Sequence, residues 1–477
     1  MKRKLGLGLL FAFFSSYAWA TSPMSHSDSS SAIIFWGTIL LSFGILGRYI
    51  AKSLGQPGVL GELLMGVVVG NVCYAYHVQL IVILRDSAAV FSVIQQMLQG
   101  MSLKHAVHEL IPDAAYAKQV LAAMSGQNGQ QWIAVTFVVD ALSRYGVIFL
   151  LFMVGLESSL HDLKKTGKES TLVAVIGVIA PIIFGLLVTR WMLPDAPFST
   201  ALFVAATLSA TSVGITARVL HDMKKLNTRE AKTIMGAAML DDVLGLVILA
   251  IVSSMVLVGS VNPVMITRIV FMALIFFPAS LWLGPKLLHR MVAWISFVDP
   301  WEAKLLTSFI FIMGFSWLAT LVNMSTIIGA FIAGIILHEG FFESRERELK
   351  NPLSIRNLLA PFEAVFAPLF FVLIGVQVRL ETFLDKQVLL FSLCLLVAAI
   401  IGKLLSGLGG NRSDDRWLIG IGMIPRGEVG LVFASVGKSL HIIPDSLFSA
   451  MVVMVVVTTF ITPVWMKMQY QRSGRRC

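Results

Sequence analysis

Charge is scarce in this chain. Asp, Glu, Lys and Arg make up 13% of 477 residues, hydrophobic residues make up 57%, and mean hydropathy is +0.82. A soluble domain so poor in charge would show water large apolar patches and aggregate, which leaves lipid as the natural solvent. Cysteine is nearly absent too. Cys73, Cys394 and Cys477 are far apart and offer neither a disulfide framework nor metal-ligand spacing. Barrel-type alternation is also missing, and lipid forbids unpaired backbone, so the apolar runs are expected to be helices. The net charge of +10 does not imply nucleic acid, because Lys and Arg sit in short breaks between apolar runs rather than on one basic face.

What is present is a series of apolar segments. Lys2, Arg3 and Lys4 precede an apolar stretch over 5–14, and Ala18, Trp19 and Ala20 form a small-x-small site, so 1–20 reads as a secretory signal peptide, with a short extra transmembrane anchor as the alternative. Apolar segments follow near 32–52, 58–84, 142–160, 170–192, 197–220, 230–257, 263–288, 303–322, 325–341, 359–379, 387–408, 415–437 and 446–468. This predicts an all-α polytopic membrane protein of about 13 transmembrane helices, each needing ~20 apolar residues. Alternate loops carry the basic residues, among them Lys164, Lys165, Lys168, Lys224, Lys225, Arg229, Arg345, Arg347 and Arg412, with Arg472, Arg475 and Arg476 in the 469–477 tail. With a periplasmic N-terminus after cleavage, these loops and the C-terminus fall on the cytoplasmic side of a bacterial inner membrane. Residues 86–141 form a long external insertion with helical apolar spacing from Val93 to Ile111. Its His105, His108 and Glu109 fit a surface helix better than a metal site.

A charge inside an apolar span is costly and marks a functional candidate. Asp241 and Asp242 lie in GAAMLDDVLGLVILAI, Lys403 in VAAIIGKLLSGLGG, and Arg426 with Glu428 in GIGMIPRGEVGLVFA. Two spans look interrupted. LSATSVGITARVL carries Ser209, Thr211, Ser212, Gly214 and Thr216 where a lipid-facing helix would carry Leu and Ile. GMIPRGEVG contains Pro425, which has no backbone donor, between glycines. The interrupted segments are the fifth and the twelfth in order. An odd offset makes the fourth-to-sixth and eleventh-to-thirteenth segments inverted repeats, with a broken helix at the centre of each. Paired breaks of this kind point to a transporter site near the bilayer midplane. Hard monovalent cations take oxygen ligands, and Asp242 or Asp241 with Thr211, Ser212 and freed carbonyls would provide them. One carboxylate that holds either a cation or a proton is a sufficient basis for antiport. Arg426 and Glu428 read as a structural charged pair that neutralises the ends of the broken helices. Lys403 is either a site residue or a snorkelling side chain near a helix end. An intramembrane aspartyl enzyme is disfavoured, because neighbours on a helix point ~100° apart.

GQPGVLGELLMGVVVG, FLLFMVGLE, SATSVGITARVL, GAAMLDDVLGL, PLFFVLIGVQV and GMIPRGEVGL occur in order from about Ile33 onward. In these segments the chain resembles the second monovalent cation:proton antiporter family, which includes bacterial sodium/proton exchangers and Kef-type potassium systems. The resemblance implies a secondary transporter with no cofactor, the sodium/proton antiporter fold with two crossed broken helices, and a homodimer. Dimerisation-side helices would lie in 32–160 and 263–379. A moving core would be formed by 170–257 and 387–468. By motif position Asp242 would be the main ion and proton carboxylate, with Thr211 and Ser212 at the first break and Asp241 facing Lys403. Kef-type systems tend to have Gln before the essential Asp. Asp241 stands there in this chain, which favours sodium or lithium exchange over potassium/proton antiport or Kef-like potassium efflux. The 86–141 insertion is longer than the family's usual.

Overall fold

A computed structural model of the chain describes residues 29–473 except 112, 158–166, 213–214, 217–218, 221–222, 224, 226–227, 258–262, 296–297, 323, 325 and 343–352. The expected signal peptide over 1–20 lies outside the described residues, as do Lys164, Lys165 and Lys224. Among the described residues there are helices and no strand. Eight helices among the described residues are long and apolar enough to cross a membrane, or nine if one bent pair is counted as a span.

The first bundle contains α1 (Ser29–Ser53) and α2 (Gly58–Ala75). They approach at Gly47 and Gly61, where a Cβ on either would run into the other's backbone carbonyl. Small residues at such a crossing let helix backbones meet in lipid, where packing rather than water drives association. The expected segment 58–84 is not one helix. It turns at His77, whose φ of 56° lies in the left-handed region, and resumes as α3 (Gln79–Arg85). The chain then bends by 91° into α4 (Ser87–Leu98).

The insertion is folded. Helices α4, α5 (Leu103–Leu110) and α6 (Ala114–Ser125) form a cap around Val82, Val90, Val93, Val107, Tyr116 and Val120. His105, His108 and Glu109 lie exposed on α5. The span expected to begin near residue 142 begins at Gly129, as α7 (Gly129–Glu157). The last part of the expected insertion is therefore spanning helix.

Next come α8 (Lys168–Met192), α9 (Phe198–Ser209), α10 (Arg229–Leu257) and α11 (Pro263–Trp294). They are followed by α12 (Pro300–Leu321), α13 (Thr326–Ile336) and α14 (Ile355–Gln377). The last are α15 (Lys386–Ser406), α16 (Arg416–Gly422), α17 (Glu428–Ser439) and α18 (Asp445–Ser473). Three of the remaining helices, α9, α13 and α17, are apolar but only 11 or 12 residues long.

Packing divides the helices into two bundles. In one, α7 packs against α13 and α14, and α14 packs against α2. In the other, α8 packs against α9, α10 and α15, while α18 packs on α15 and α17. Apolar residues also face outward. Leu172, Val175, Ile179, Ile183 and Leu187 form one exposed stripe along α8, as expected of a lipid-facing helix.

Candidate functional site

The second bundle contains two chain breaks that lie against each other. The first follows Ser209, where Ala210 turns extended (φ −63°, ψ 134°) and residues 210–212 leave the helix. The second covers 423–427, between α16 and α17, and contains Pro425. Their close approach requires glycine at 427, since a Cβ there would stand 2.6 Å from the Ser212 hydroxyl.

Hydrogen bonds tie the two breaks together. The Ser212 backbone N–H donates to the Pro425 carbonyl at 2.8 Å. The hydroxyls of Thr211 and Thr216 donate to the carbonyls of Met423 (3.2 Å) and Gly422 (2.8 Å). These are carbonyls that the end of α16 would otherwise leave without a helical partner. Arg426 does the same for α9, donating from Nη1 to the Ala210 carbonyl at 2.7 Å. Its Nη2 reaches the Ala399 carbonyl of α15 at 3.4 Å, and the Thr459 hydroxyl of α18 donates to the Arg426 carbonyl. A cation at the carbonyl end of a helix offsets the negative end of the helix dipole.

One turn beyond Ala399, on the same face of α15, Lys403 meets Asp241 of α10. The ammonium lies 3.0 and 3.1 Å from the two carboxylate oxygens. Both side chains are wholly buried, so Lys403 does not snorkel. Such a pair persists only because each charge neutralises the other; removing one strands its partner at a cost of about 3–5 kcal/mol. Asp242 follows on α10 and Glu428 opens α17, but both side chains lie outside the described residues. The expected Arg426–Glu428 pair and any ligand role of Asp242 fall there too.

A cavity of about 270 Å³ between the two bundles reaches this region. It runs from Pro57, Arg356 and Glu363 to Ser212, Arg426, Gly427 and Thr459. A second, of about 220 Å³, is lined by Asp140, Arg144, Gln377, Ser435 and Lys438. Leu431 of α17 faces the first cavity and Val432 the second. The apolar cluster of Leu63, Val147, Leu150, Phe370, Leu431 and Val432 closes the space between them.

The polar run that marks the first break includes Thr216, whereas the sequence reading did not single out Thr459 or Ala399. Thr459 had a weak signal, because Thr458, Thr459 and Thr462 interrupt the apolar run of α18. Ala399 had none, since only its carbonyl takes part.

A helical membrane bundle with a buried ion pair beside two crossed chain breaks, reached by water-sized space, has the build of a secondary transporter and not of an enzyme. The chain belongs to the sodium/hydrogen exchanger family, matching "Sodium/hydrogen exchanger, transmembrane" over residues 118–468. It is 34% identical over 440 residues to the high-affinity Na(+)/H(+) antiporter NhaS3 of Synechocystis, covering 90% of this chain and 88% of that one. It is 29% identical over 434 residues to the Na(+)/H(+)-K(+) antiporter GerN of Bacillus cereus, covering 90% and 94%. The fold is that of the sodium proton antiporter MjNhaP1 from Methanocaldococcus jannaschii, with a TM-score of 0.60 and 17% identity over 92% of this chain and 98% of that one.

Proposed function

We propose that this protein exchanges sodium or lithium for protons by alternating access, with Asp242 as the carboxylate that holds either ion. The observation that carries the reading is the buried Asp241–Lys403 pair beside the crossed breaks. The first cavity meets the broken backbone at Ser212, Arg426 and Gly427, and a carboxylate next in sequence to the pair can exchange its proton for a cation. Thr211 and Ser212 stand at the first break and complete an oxygen-rich surrounding. Arg426 balances the carbonyl end of α9 and leaves the carboxylates to the transported ions.

In this reading the helices of 170–257 and 387–468 move as one core against those of 32–160 and 263–379. The site then passes from the first cavity to the second. The protein works as a homodimer in a bacterial inner membrane, its signal peptide removed and its C-terminus in the cytoplasm. The basic loops between spans support that orientation. Potassium is the second candidate cation, favoured by the name of the GerN relative.

The test is exchange in reconstituted vesicles that carry a pH gradient reported by a dye. Sodium or lithium should release protons in wild type, with potassium compared alongside. Asp242→Asn should abolish the release while the purified protein keeps its native elution profile. Retained exchange in folded Asp242→Asn would move the ion site elsewhere.

A further inference from the structure

The cap helices bring a second set of charges, its cations buried, against the core bundle, far in sequence from Asp241 and unused by the exchange site. Three cations and three carboxylates meet there. Arg85, wholly buried at the end of α3, donates to both Glu381 oxygens at 2.8 and 3.0 Å and to the Asn71 side-chain oxygen of α2 at 2.7 Å. Arg379, just beyond α14, bridges Asp86 at 3.1 Å and Asp445 at 2.8 Å. Lys438, in the last turn of α17, contacts Asp445 at 2.8 Å and donates to the Arg85 carbonyl at 3.1 Å.

The partition of these charges is informative. Arg379 with Asp86 belongs to the cap and the end of the first bundle, and Lys438 with Asp445 belongs to α17 and α18. Arg85 pairs with the exposed Glu381, which lies on the connection after α14 that packs on α15 and α18. If the bundles part, Arg379 keeps Asp86 and Lys438 keeps Asp445. What breaks is the Arg379–Asp445 bridge, the Lys438 bond to the Arg85 carbonyl, the bond from the Arg379 N–H to Ser449 (3.0 Å) and the Ser92–His441 contact (3.1 Å). A buried network that stranded a charge on opening would act as a permanent rivet. This one can open and close. It also closes the wall of the second cavity, which Lys438 itself lines.

We propose that Arg379, Asp445, Lys438 and the Arg85 carbonyl form a latch that holds α17 and α18 against the cap, and that the second cavity opens only when this latch parts. The inference rests on the alternating-access reading, and its test uses a readout independent of exchange. With Cys73, Cys394 and Cys477 replaced by Ala, a single Ser435→Cys on the wall of the second cavity is labelled with a hydrophilic maleimide. Lys438→Gln and Asp445→Asn should each raise the labelling rate about tenfold by populating the parted state. Lys438→Arg and Asp445→Glu, which keep the charges, should stay near the parent rate. Unchanged labelling in folded Lys438→Gln and Asp445→Asn would overturn the latch.

If those variants do not fold, a second arm leaves the latch charges intact. Ser92→Cys and His441→Cys are bridged by a short, reducible bifunctional reagent. In protein that also carries Ser435→Cys, labelling at residue 435 that slows on bridging and recovers on reduction supports the latch, and labelling unchanged by bridging overturns it. Slow labelling that responds as expected in a protein unable to exchange sodium would uphold the latch and refute only the transport reading.

Discussion

Replacing Lys403 by Gln separates two stoichiometries. The ammonium sits 3.0 and 3.1 Å from the Asp241 oxygens, with neither side chain exposed. Cation arriving at the neighbouring Asp242 would draw Asp241 toward it, weaken the pair and release the lysine's proton. Two protons would then leave for each monovalent cation, and each cycle would move one net charge. If Asp241 only braces the helix, one proton exchanges for one cation and no net charge moves. A membrane potential of about 100 mV contributes about 2.3 kcal/mol per charge moved. At about 1.4 kcal/mol per factor of ten, this supports roughly a fiftyfold cation gradient. The assay imposes a diffusion potential on vesicles with no initial pH gradient and follows cation uptake. Wild type should respond, and Lys403→Gln should either lose exchange or exchange without responding to voltage. The same variant leaves Asp241 buried without its counterion, so it should unfold more easily, by about 3–5 kcal/mol unless a proton binds there. Asp241→Asn with Lys403→Gln removes both charges and should recover most of that loss. A wild-type protein indifferent to potential would refute the two-proton scheme while leaving the family assignment intact.

Thr211→Val keeps the shape of the side chain but loses the bond to the Met423 carbonyl at the crossing. A typical loss of about 1 kcal/mol should raise the half-saturating cation concentration about fivefold. Turnover at saturation should change less, and the opposite pattern would remove Thr211 from the ion's surroundings. For orientation, a reporter active only in the periplasm should work when inserted at Gln127, in the turn between α6 and α7, and be silent when fused after Cys477. A silent Gln127 insertion would invert the assigned topology.

Much of the architecture is legible in one dimension because lipid imposes a one-dimensional rule. Each span must satisfy its own backbone, so α1, α8, α12, α15 and α18 appear as unbroken apolar runs. Breaks are legible for the same reason: Thr211, Ser212, Pro425 and Gly427 stand out where leucine would be expected. Charges in such runs are equally visible, which is how Asp241, Lys403 and Arg426 were found. The start of α7 was not visible, because Gln130, Gln131 and Asp140 give its first turns the composition of a loop. The cap was read only as helical spacing within an external insertion, since its short helices gain stability from one another and not from lipid.

Composition and periodicity by themselves determined that this chain is a helical membrane protein with two interrupted spans and costly charges placed near them. Only the tertiary structure decided what those charges touch. Asp241 and Lys403 are 162 residues apart and become an ion pair because α10 and α15 both pack on α8. The described bonds of Arg426 go to the carbonyls of Ala210 and Ala399, partners with no side-chain signature at all. Lys438, Asp445 and Arg379 sit at helix ends, where charge is ordinary, and they become a bridged cluster with buried cations only when α3 and α4 fold over them. The cost of a charge in lipid is written along the chain, whereas its compensation depends on which helices meet, and that is a property of the folded bundle alone.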